Sequence, residues 1–163
     1  MNRHGFSLIE LIVVIGMIAI LLTVATLDFG AWQRKSIVER YTKELYSDVQ
    51  DARMRAAFTK VRQSVEFGSP QVVFRRYTSE FDVAGTIINT KRLPLSFTLN
   101  GGWANPIFFD TRGIMSDPII KVVCMTTTEE AAYDALIITP ALTNMGKVTN
   151  RGNACARTNV TQK

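Results

Sequence analysis

The sequence is poor in the residues that most enzymes use for catalysis. Its only histidine, His4, is the fourth residue, which leaves no histidine in the rest of the sequence for a Ser–His or Cys–His nucleophile pair. The two cysteines, Cys124 and Cys155, are too few for a usual four-ligand zinc site without a histidine. The sequence has no EF-hand loop and no glycine-rich phosphate-binding loop. We therefore expect neither enzymatic activity nor a bound metal or cofactor.

Charged residues are almost absent between Phe6 and Leu27, where Glu10 is the single ionisable side chain. A helix of these 22 residues is about 33 Å long at ~1.5 Å per residue, close to the ~30 Å hydrocarbon thickness of a bilayer. A cleaved secretory signal peptide has a shorter apolar stretch, of about 7 to 15 residues, followed by a small-residue cleavage site. The segment therefore predicts a membrane-spanning helix that is retained.

The charges around this segment indicate its orientation only weakly, because Arg3 precedes it and Arg34 and Lys35 follow it. The two cysteines are more informative, since their number and position suit one disulfide bond in an oxidising compartment. We therefore expect the N-terminus in the cytoplasm and the following residues outside it. Such a disulfide closes a loop of about 30 residues, worth roughly 3 to 4 kcal/mol in the chain-entropy model. Two unpaired thiols are the alternative.

One long helix from Phe6 to Arg62 is expected, because the first proline is Pro70. Beyond Asp28, apolar residues recur every three or four positions, at Val38, Tyr41, Leu45, Val49, Ala52 and Ala56. Charged residues fall at other positions, namely Lys43, Asp48, Asp51 and Arg55. This 3.6-residue repeat predicts that the second half of the helix packs on one side only.

Beyond Pro70, short runs of β-branched and aromatic residues alternate with turn formers, which predicts an antiparallel sheet. The predicted strands are residues 72–77, 86–89, 95–99, 107–110, 119–125 and 135–139. Asn100-Gly101-Gly102 and Arg112-Gly113 are predicted hairpin turns. The residues after Pro140 are polar and rich in turn formers, so no strand is predicted there. A long helix packed on one small sheet, an α+β fold, fits this pattern.

Three features coincide at the N-terminus: a short basic segment that ends in Gly5, an apolar helix that begins at Phe6, and the carboxylate of Glu10. Taken alone, Glu10 is an acid that reaches water near the membrane surface. Together, residues 5–10 (Gly-Phe-Ser-Leu-Ile-Glu) resemble the class III leader of type IV prepilins and of type II secretion pseudopilins. The resemblance implies that a membrane peptidase cuts after Gly5 and methylates Phe6, which places Glu10 fifth in the mature chain.

Physical chemistry gives these residue types a role. Gly5 has no side chain, which suits an extended backbone in a narrow peptidase cleft. Cleavage frees a charged amine, and an amine and a carboxylate are each costly to bury alone. The Phe6 amine of one subunit and Glu10 of the next would offset one another in a helix bundle, which favours one axial register. Gly16 and Ala19 would allow the helices to approach closely.

Further along, the sequence resembles the GspH/FimT-like minor pilins. The stretches that carry this resemblance are residues 45–57, 65–67, 107–113, 137–139 and 146–148. The resemblance implies a type IV pilin fold, in which a long N-terminal α-helix packs on a small antiparallel β-sheet. It also implies three parts: a prepilin leader (residues 1–5), a transmembrane or filament-core helix (6–29) and an extracytoplasmic globular domain (30–163).

Basic residues outnumber acidic ones in two regions. Residues 34–62 carry eight Lys or Arg against four Asp or Glu, and residues 135–163 carry four against none. In GspH/FimT-like minor pilins of transformable bacteria the C-terminal arginine region is implicated in DNA capture, which points to Lys147, Arg151, Arg157 and Lys163 here. No aromatic residue is interleaved among them to stack bases, so DNA contact would be phosphate-driven and salt-sensitive.

The sequence therefore predicts a minor pilin subunit that is assembled into a type IV pilus after leader cleavage and N-methylation, with a role in filament initiation. The expected partners are other pilins, contacted through the N-terminal helix, a prepilin peptidase and an inner-membrane assembly platform. The expected location is the bacterial inner membrane with a periplasmic domain, and then a pilus or pseudopilus. The alternatives are a type II secretion minor pseudopilin, a DNA-binding minor pilin, and a membrane-anchored receptor without a filament role.

Overall fold

The computed structural model describes residues 7–79, 81–100, 106–152 and 154–162, without the side chains of residues 24–28. One helix, α1, runs over Leu8–Thr59, a length of 52 residues. It begins after Ser7, whose backbone is extended, and ends at Lys60, whose φ of 56° is left-handed. The end predicted at Arg62 is therefore three residues too far, because the left-handed residue stops the helix and a strand begins at Gln63.

Within the described residues, no helix is long and apolar enough to cross a membrane. Phe6 and the side chains of residues 24–27, which belong to the predicted span from Phe6 to Leu27, lie outside the described part of the chain. The span and the three-part division of the chain stay predictions.

The rest of the described chain contains nine strands, and all of their pairings are antiparallel. They are β1 (Gln63–Gly68), β2 (Gln71–Arg76), β3 (Thr86–Arg92), β4 (Phe97–Leu99), β5 (Ile107–Phe109), β6 (Lys121–Met125), β7 (Ala135–Ile138), β8 (Thr143–Val148) and β9 (Val160–Gln162). A short 3-10 helix, Arg157–Asn159, precedes β9. The strands form a four-stranded sheet in the order β3-β2-β1-β5 and a five-stranded sheet in the order β4-β6-β7-β8-β9.

The prediction of a single sheet was wrong, whereas the α+β class with an N-terminal helix on antiparallel strands is confirmed. Two sheets arise because α1 packs against β1 and β5 of the first and against β7 and β8 of the second. The helix thus lies across both sheets, and the main hydrophobic core lies between the helix and the two sheets. Of the predicted stripe on the helix, Val38, Leu45, Val49, Ala52 and Ala56 are buried and Tyr41 is half-buried.

The two strands after Pro140 were missed, because their sequence is polar and Gly-containing. β8 is nevertheless held on both sides, by β7 and by β9. Gly146 in β8 is needed for this close packing: a Cβ there would lie 2.5 Å from Val160 Cγ1 and 2.9 Å from the Thr161 carbonyl oxygen. Tertiary pairing thus makes strands of residues whose own propensity is low.

Candidate functional site

The first turn of α1 carries Glu10 on an exposed surface. The backbone N–H groups of Glu10 and Leu11 both donate to the Ser7 carbonyl, at 3.1 and 3.2 Å, which closes the start of the helix. Gly5 and Phe6, the residues of the predicted cleavage and methylation site, lie outside the described residues. The geometry therefore places Glu10 near the start of a helix, and its pairing with a Phe6 amine stays a prediction.

Apolar side chains cover the first part of α1 on every side. Leu8, Ile15, Ile20 and Leu21 are 75, 58, 68 and 70% exposed. A helix that is apolar all around is stable only when other apolar groups surround it, either lipid or neighbouring helices. Half of the exposed large apolar side chains of the described residues lie between Leu8 and Leu22, and this segment is the candidate assembly surface.

Two contacts fix the helix to the globular domain where the domain begins. The Arg34 Nε donates to Glu129 Oε1 at 2.6 Å, and the Ala132 N–H donates to Glu39 Oε1 at 2.8 Å. Farther along, Lys91 of β3 pairs with Glu44 at 2.7 Å and with Asp48. Burial alone would lower the pKa of Lys91, but these two carboxylates raise it above its ordinary value. The domain is thereby tied to the helix through ion pairs as well as through the core.

Arg53 is a buried residue that sequence reasoning missed. Its guanidinium donates to the Pro140 and Thr139 carbonyl oxygens, both at 2.9 Å, and lies 5.0 Å from the centroid of the Phe109 ring. Burial lowers the pKa of Arg53. Arg53 connects α1 to both sheets, because Phe109 belongs to β5 and the two carbonyls follow β7.

The turn predicted at Arg112-Gly113 is present. It is closed by a single bridge between Phe109, the last residue of β5, and Met115, and among the described residues no second strand of a hairpin follows it. Gly113 has a φ of 78°, and a Cβ there would lie 2.8 Å from the Arg53 carbonyl oxygen. Burial acts to raise the pKa of Asp110, but the N–H groups of Ile114 and Arg112 and the Arg112 guanidinium hold it below its ordinary value. In the turn predicted at Asn100, Gly101 and Gly102 lie outside the described residues.

Cys124 and Cys155 form the predicted disulfide, with their Cα atoms 5.9 Å apart and a sequence separation of 31. Cys124 is in β6 and Cys155 is in the segment between β8 and β9. The two sulfurs lie in a small second core with Val122, Ala135, Ile137 and Val160. The disulfide therefore holds the C-terminal segment against the outer face of the second sheet.

The basic C-terminal residues are engaged within the domain. Arg151 pairs with Asp134 at 2.6 Å and donates to the Thr127 carbonyl at 2.9 Å. Arg157 donates to the Val160 carbonyl at 2.9 Å, and Lys147 lies 3.7 Å from Glu130. Lys163 lies outside the described residues. These contacts use part of the hydrogen-bonding capacity that phosphate groups would need, and DNA binding stays an untested prediction.

Asp134 is a fully buried carboxylate immediately before β7 that sequence reasoning also missed. Its two oxygens accept from the Val148 N–H at 2.7 Å and from Arg151. Burial raises the pKa of Asp134, against the opposing effects of the Val148 N–H and of the Arg151 and Lys147 charges. This network anchors the C-terminal segment beside the disulfide, which is a structural role.

Comparison with known proteins gives one match to the N-terminal residues and one to the fold. A family model, the prokaryotic N-terminal methylation motif, matches residues 1–26. No curated protein matches the sequence significantly. The motif matches the N-terminal residues that carry the resemblance to type IV prepilins, so that resemblance is confirmed over residues 1–26. The motif implies a membrane-anchored precursor that is processed at its N-terminus and assembles with other pilins.

Among solved structures, the type IV minor pilin FimU of Pseudomonas aeruginosa (strain PAO1) has a similar fold. The TM-score is 0.58 and the sequence identity 11%, over 77% of this chain and 99% of that chain. At this identity the similarity establishes the fold alone.

Proposed function

We propose that the chain is a structural minor pilin that is inserted in the bacterial inner membrane, cleaved after Gly5, methylated at Phe6 and built into a type IV pilus. The observation that carries this proposal is the methylation motif over residues 1–26, placed at the start of a helix that continues unbroken to Thr59. A filament subunit needs this combination, because the same rod has to leave the membrane and join the filament core. The role is structural rather than enzymatic, and we place it in filament initiation.

The apolar surface of α1 supports this assignment. Side chains from Leu8 to Leu22 are exposed in the single chain, so lipid would cover them in the precursor and neighbouring helices would cover them in the filament. Helices in lipid associate through close packing and polar contacts, since lipid tails are as apolar as the side chains. Glu10 is the one polar contact of this kind that the segment offers.

The partners follow from the same helix. Other pilins would contact residues 6–29, a prepilin peptidase would bind the leader, and an inner-membrane assembly platform would extract the mature subunit. A type II secretion minor pseudopilin would use an identical helix with different partners. Copurification from sheared pili, compared with copurification from a secretion pseudopilus, separates these two functions.

The proposal is tested by following the chain into filaments in a piliated bacterium. Wild type should be recovered from sheared fibres, whereas Gly5→Leu should remain uncleaved in the membrane, because a bulky side chain blocks the extended approach of the backbone to the peptidase. Gly16→Leu, which leaves the cleavage site intact, is the matched control for membrane insertion and cleavage. A membrane-anchored receptor without a filament role would be absent from the fibres in every case, and that result would overturn the proposal.

DNA binding is a separate question for the same protein. The full chain, purified in detergent and titrated with double-stranded DNA, should show a mobility shift that weakens steeply with salt if Lys147, Arg157 and Lys163 contact phosphates. The absence of a salt-sensitive shift would exclude this function and leave the structural role unaffected.

A further inference from the structure

Two large aromatic side chains lie exposed on α1 directly after the apolar segment. Phe29 and Trp32 are 60% and 64% exposed, and their ring centroids are 6.0 Å apart. Residues three apart share one side of a helix, so the two rings form a single surface. We call this pair the aromatic collar.

The height of the collar along the helix is informative. If the apolar segment ends at Leu27, then Phe29 lies about 3 Å and Trp32 about 7.5 Å beyond it at ~1.5 Å per residue. The headgroup layer on each side of a bilayer is roughly 5 to 8 Å thick, as the difference between ~40 to 45 Å overall and ~30 Å of hydrocarbon requires. Both rings therefore fall within that layer. Tryptophan favours it, because the ring is largely apolar and its N–H finds polar partners there.

The globular domain begins immediately above the collar. Its first ties to the helix are the Arg34–Glu129 ion pair, at 2.6 Å, and the hydrogen bond from Ala132 to Glu39. Residues 29–33 are therefore the stretch of helix between the apolar segment and the domain. The nearby charges have both signs, since Arg34 pairs with Glu129 and the next residue in sequence, Glu130, is exposed. A neutral, zwitterionic headgroup layer suits this mixed charge better than a strongly anionic one.

We propose that the aromatic collar binds the phospholipid headgroup layer on the periplasmic side of the membrane and sets the depth of the precursor helix. This inference rests on the proposed function, because it requires the precursor to be anchored in a membrane. Glu10 lies 19 residues before Phe29, which is about 28 Å along the helix. Collar binding therefore holds Glu10 and the Gly5–Phe6 bond at the opposite surface, where a carboxylate reaches water and a peptidase reaches the bond.

Tryptophan fluorescence tests the collar directly. The sequence has two tryptophans, and Trp103→Phe leaves Trp32 as the single emitter in the full chain. The protein is reconstituted at low density in phosphatidylcholine vesicles whose acyl chains carry bromine either near the headgroup or near the chain end. Trp32 should show blue-shifted emission relative to a water-exposed tryptophan and stronger quenching by the shallow bromines than by the deep ones.

A second probe separates failure of the collar from failure of the membrane anchor. Ile15→Trp, combined with Trp32→Phe and Trp103→Phe, places the emitter in the middle of the apolar segment, where deep bromines should quench it most. If the probe at position 15 is quenched and Trp32 is not, the collar inference is overturned and the proposed function stands. If neither is quenched, the membrane-anchored precursor is overturned as well.

Removal of the collar tests whether it sets the depth. The probe is again the tryptophan of Ile15→Trp, in a chain that also carries Trp103→Phe. Adding Phe29→Ala and Trp32→Ala removes the collar. Shallow and deep bromines should then quench the probe more equally, because the depth of the helix is no longer fixed. Phe58→Ala, tested with Trp32→Phe, is the matched control, because Phe58 is 83% exposed on the same helix but about 39 Å farther from the membrane. An unchanged depth profile in the double alanine variant would show that the collar does not position the helix.

Discussion

At the scale of single residues, Glu10 is the ionisable group of a segment that is otherwise apolar, and it lies in the first turn of α1. Glu10→Gln and Glu10→Ala should insert into the membrane normally, because removing a charge can only lower the ~2.5 to 3.5 kcal/mol cost that applies at mid-bilayer. Both should enter filaments less efficiently, since the Phe6 amine of the neighbouring subunit loses its partner.

The measurement is the ratio of subunit in sheared fibres to subunit in membranes, by immunoblot. Ser7→Ala is the matched control, since the Ser7 side chain makes no capping hydrogen bond to the helix. Wild-type ratios in both Glu10 variants would remove the registry role.

Arg53 illustrates a residue whose importance comes from tertiary structure. Arg53→Met keeps most of the side-chain volume but removes the guanidinium donor to the Thr139 and Pro140 carbonyls, of which Pro140 keeps only the Met115 N–H, and it removes the contact with Phe109. We expect the free energy of unfolding to fall by about 2 to 4 kcal/mol. Urea denaturation of the full chain in detergent measures it.

Arg55 supplies the control for this substitution. Its ion pair with Asp51 is exposed and lies within one helix, so Arg55→Met should change the free energy of unfolding by no more than about 0.5 kcal/mol. Equal effects of the two substitutions would contradict the role assigned to Arg53.

At the scale of elements, the C-terminal segment is held by the Asp134–Arg151 pair. Arg151→Met leaves a buried carboxylate unpaired and should cost about 2 to 4 kcal/mol, somewhat below a fully buried pair because a quarter of the Arg151 side chain is exposed. Lys147→Met is the control, since its partner Glu130 is 76% exposed, and should cost no more than about 1 kcal/mol.

The cost of Arg151→Met should depend on pH. Burial raises the pKa of Asp134, so the folded protein takes up this proton at a higher pH than the unfolded chain does, and protonation favours folding as the pH falls. Loss of the Arg151 charge raises that pKa further. Urea denaturation should therefore show a large cost at neutral pH that shrinks as the pH falls through the raised pKa. A cost that grows toward low pH would contradict the ion pair.

The disulfide is the second constraint on the same segment. Replacing both Cys124 and Cys155 by Ala should lower the free energy of unfolding by about 3 to 4 kcal/mol in the chain-entropy model, for a loop of 31 residues. Hydrogen exchange should increase first in β9, which has only three residues and pairs with β8 alone. Unchanged protection of β9 would show that its pairing does not need the covalent link.

The sequence predicted the elements that a local pattern forms, and it missed those that depend on tertiary contacts. The long helix and its buried stripe followed from a repeat that residues such as Leu45 and Val49 keep without interruption. Strands such as β6 and β7 have high intrinsic propensity, and both were predicted within two residues. β1, β8 and β9 were missed, because Gln63–Gly68 follows the helix directly and the other two depend on pairing for their order.

The candidate site divides in the same way. The leader, Glu10 and the cysteine pair are visible in sequence, because each depends on residue type and spacing along the chain. Arg53 and Asp134 were invisible, because their partners are 86 and 14 residues away and no local pattern marks them. The aromatic collar was not predicted either, because its proposed role depends on where the globular domain begins along α1, and only the structure shows that.

At the scale of the whole molecule, a single helix has two parts of different character. Its first part is apolar on all sides, and its second part forms the core with two antiparallel sheets. In the proposed function, this division of the helix allows one subunit to be both a membrane-anchored precursor and a filament component.

The most direct measurement is the mass of the N-terminal peptide of the chain recovered from sheared surface fibres. The mature chain should begin at Phe6 and carry one added methyl group on its amine. A chain that still bears residues 1–5, and that is found in membranes but never in fibres, would contradict assembly through the clipped helix.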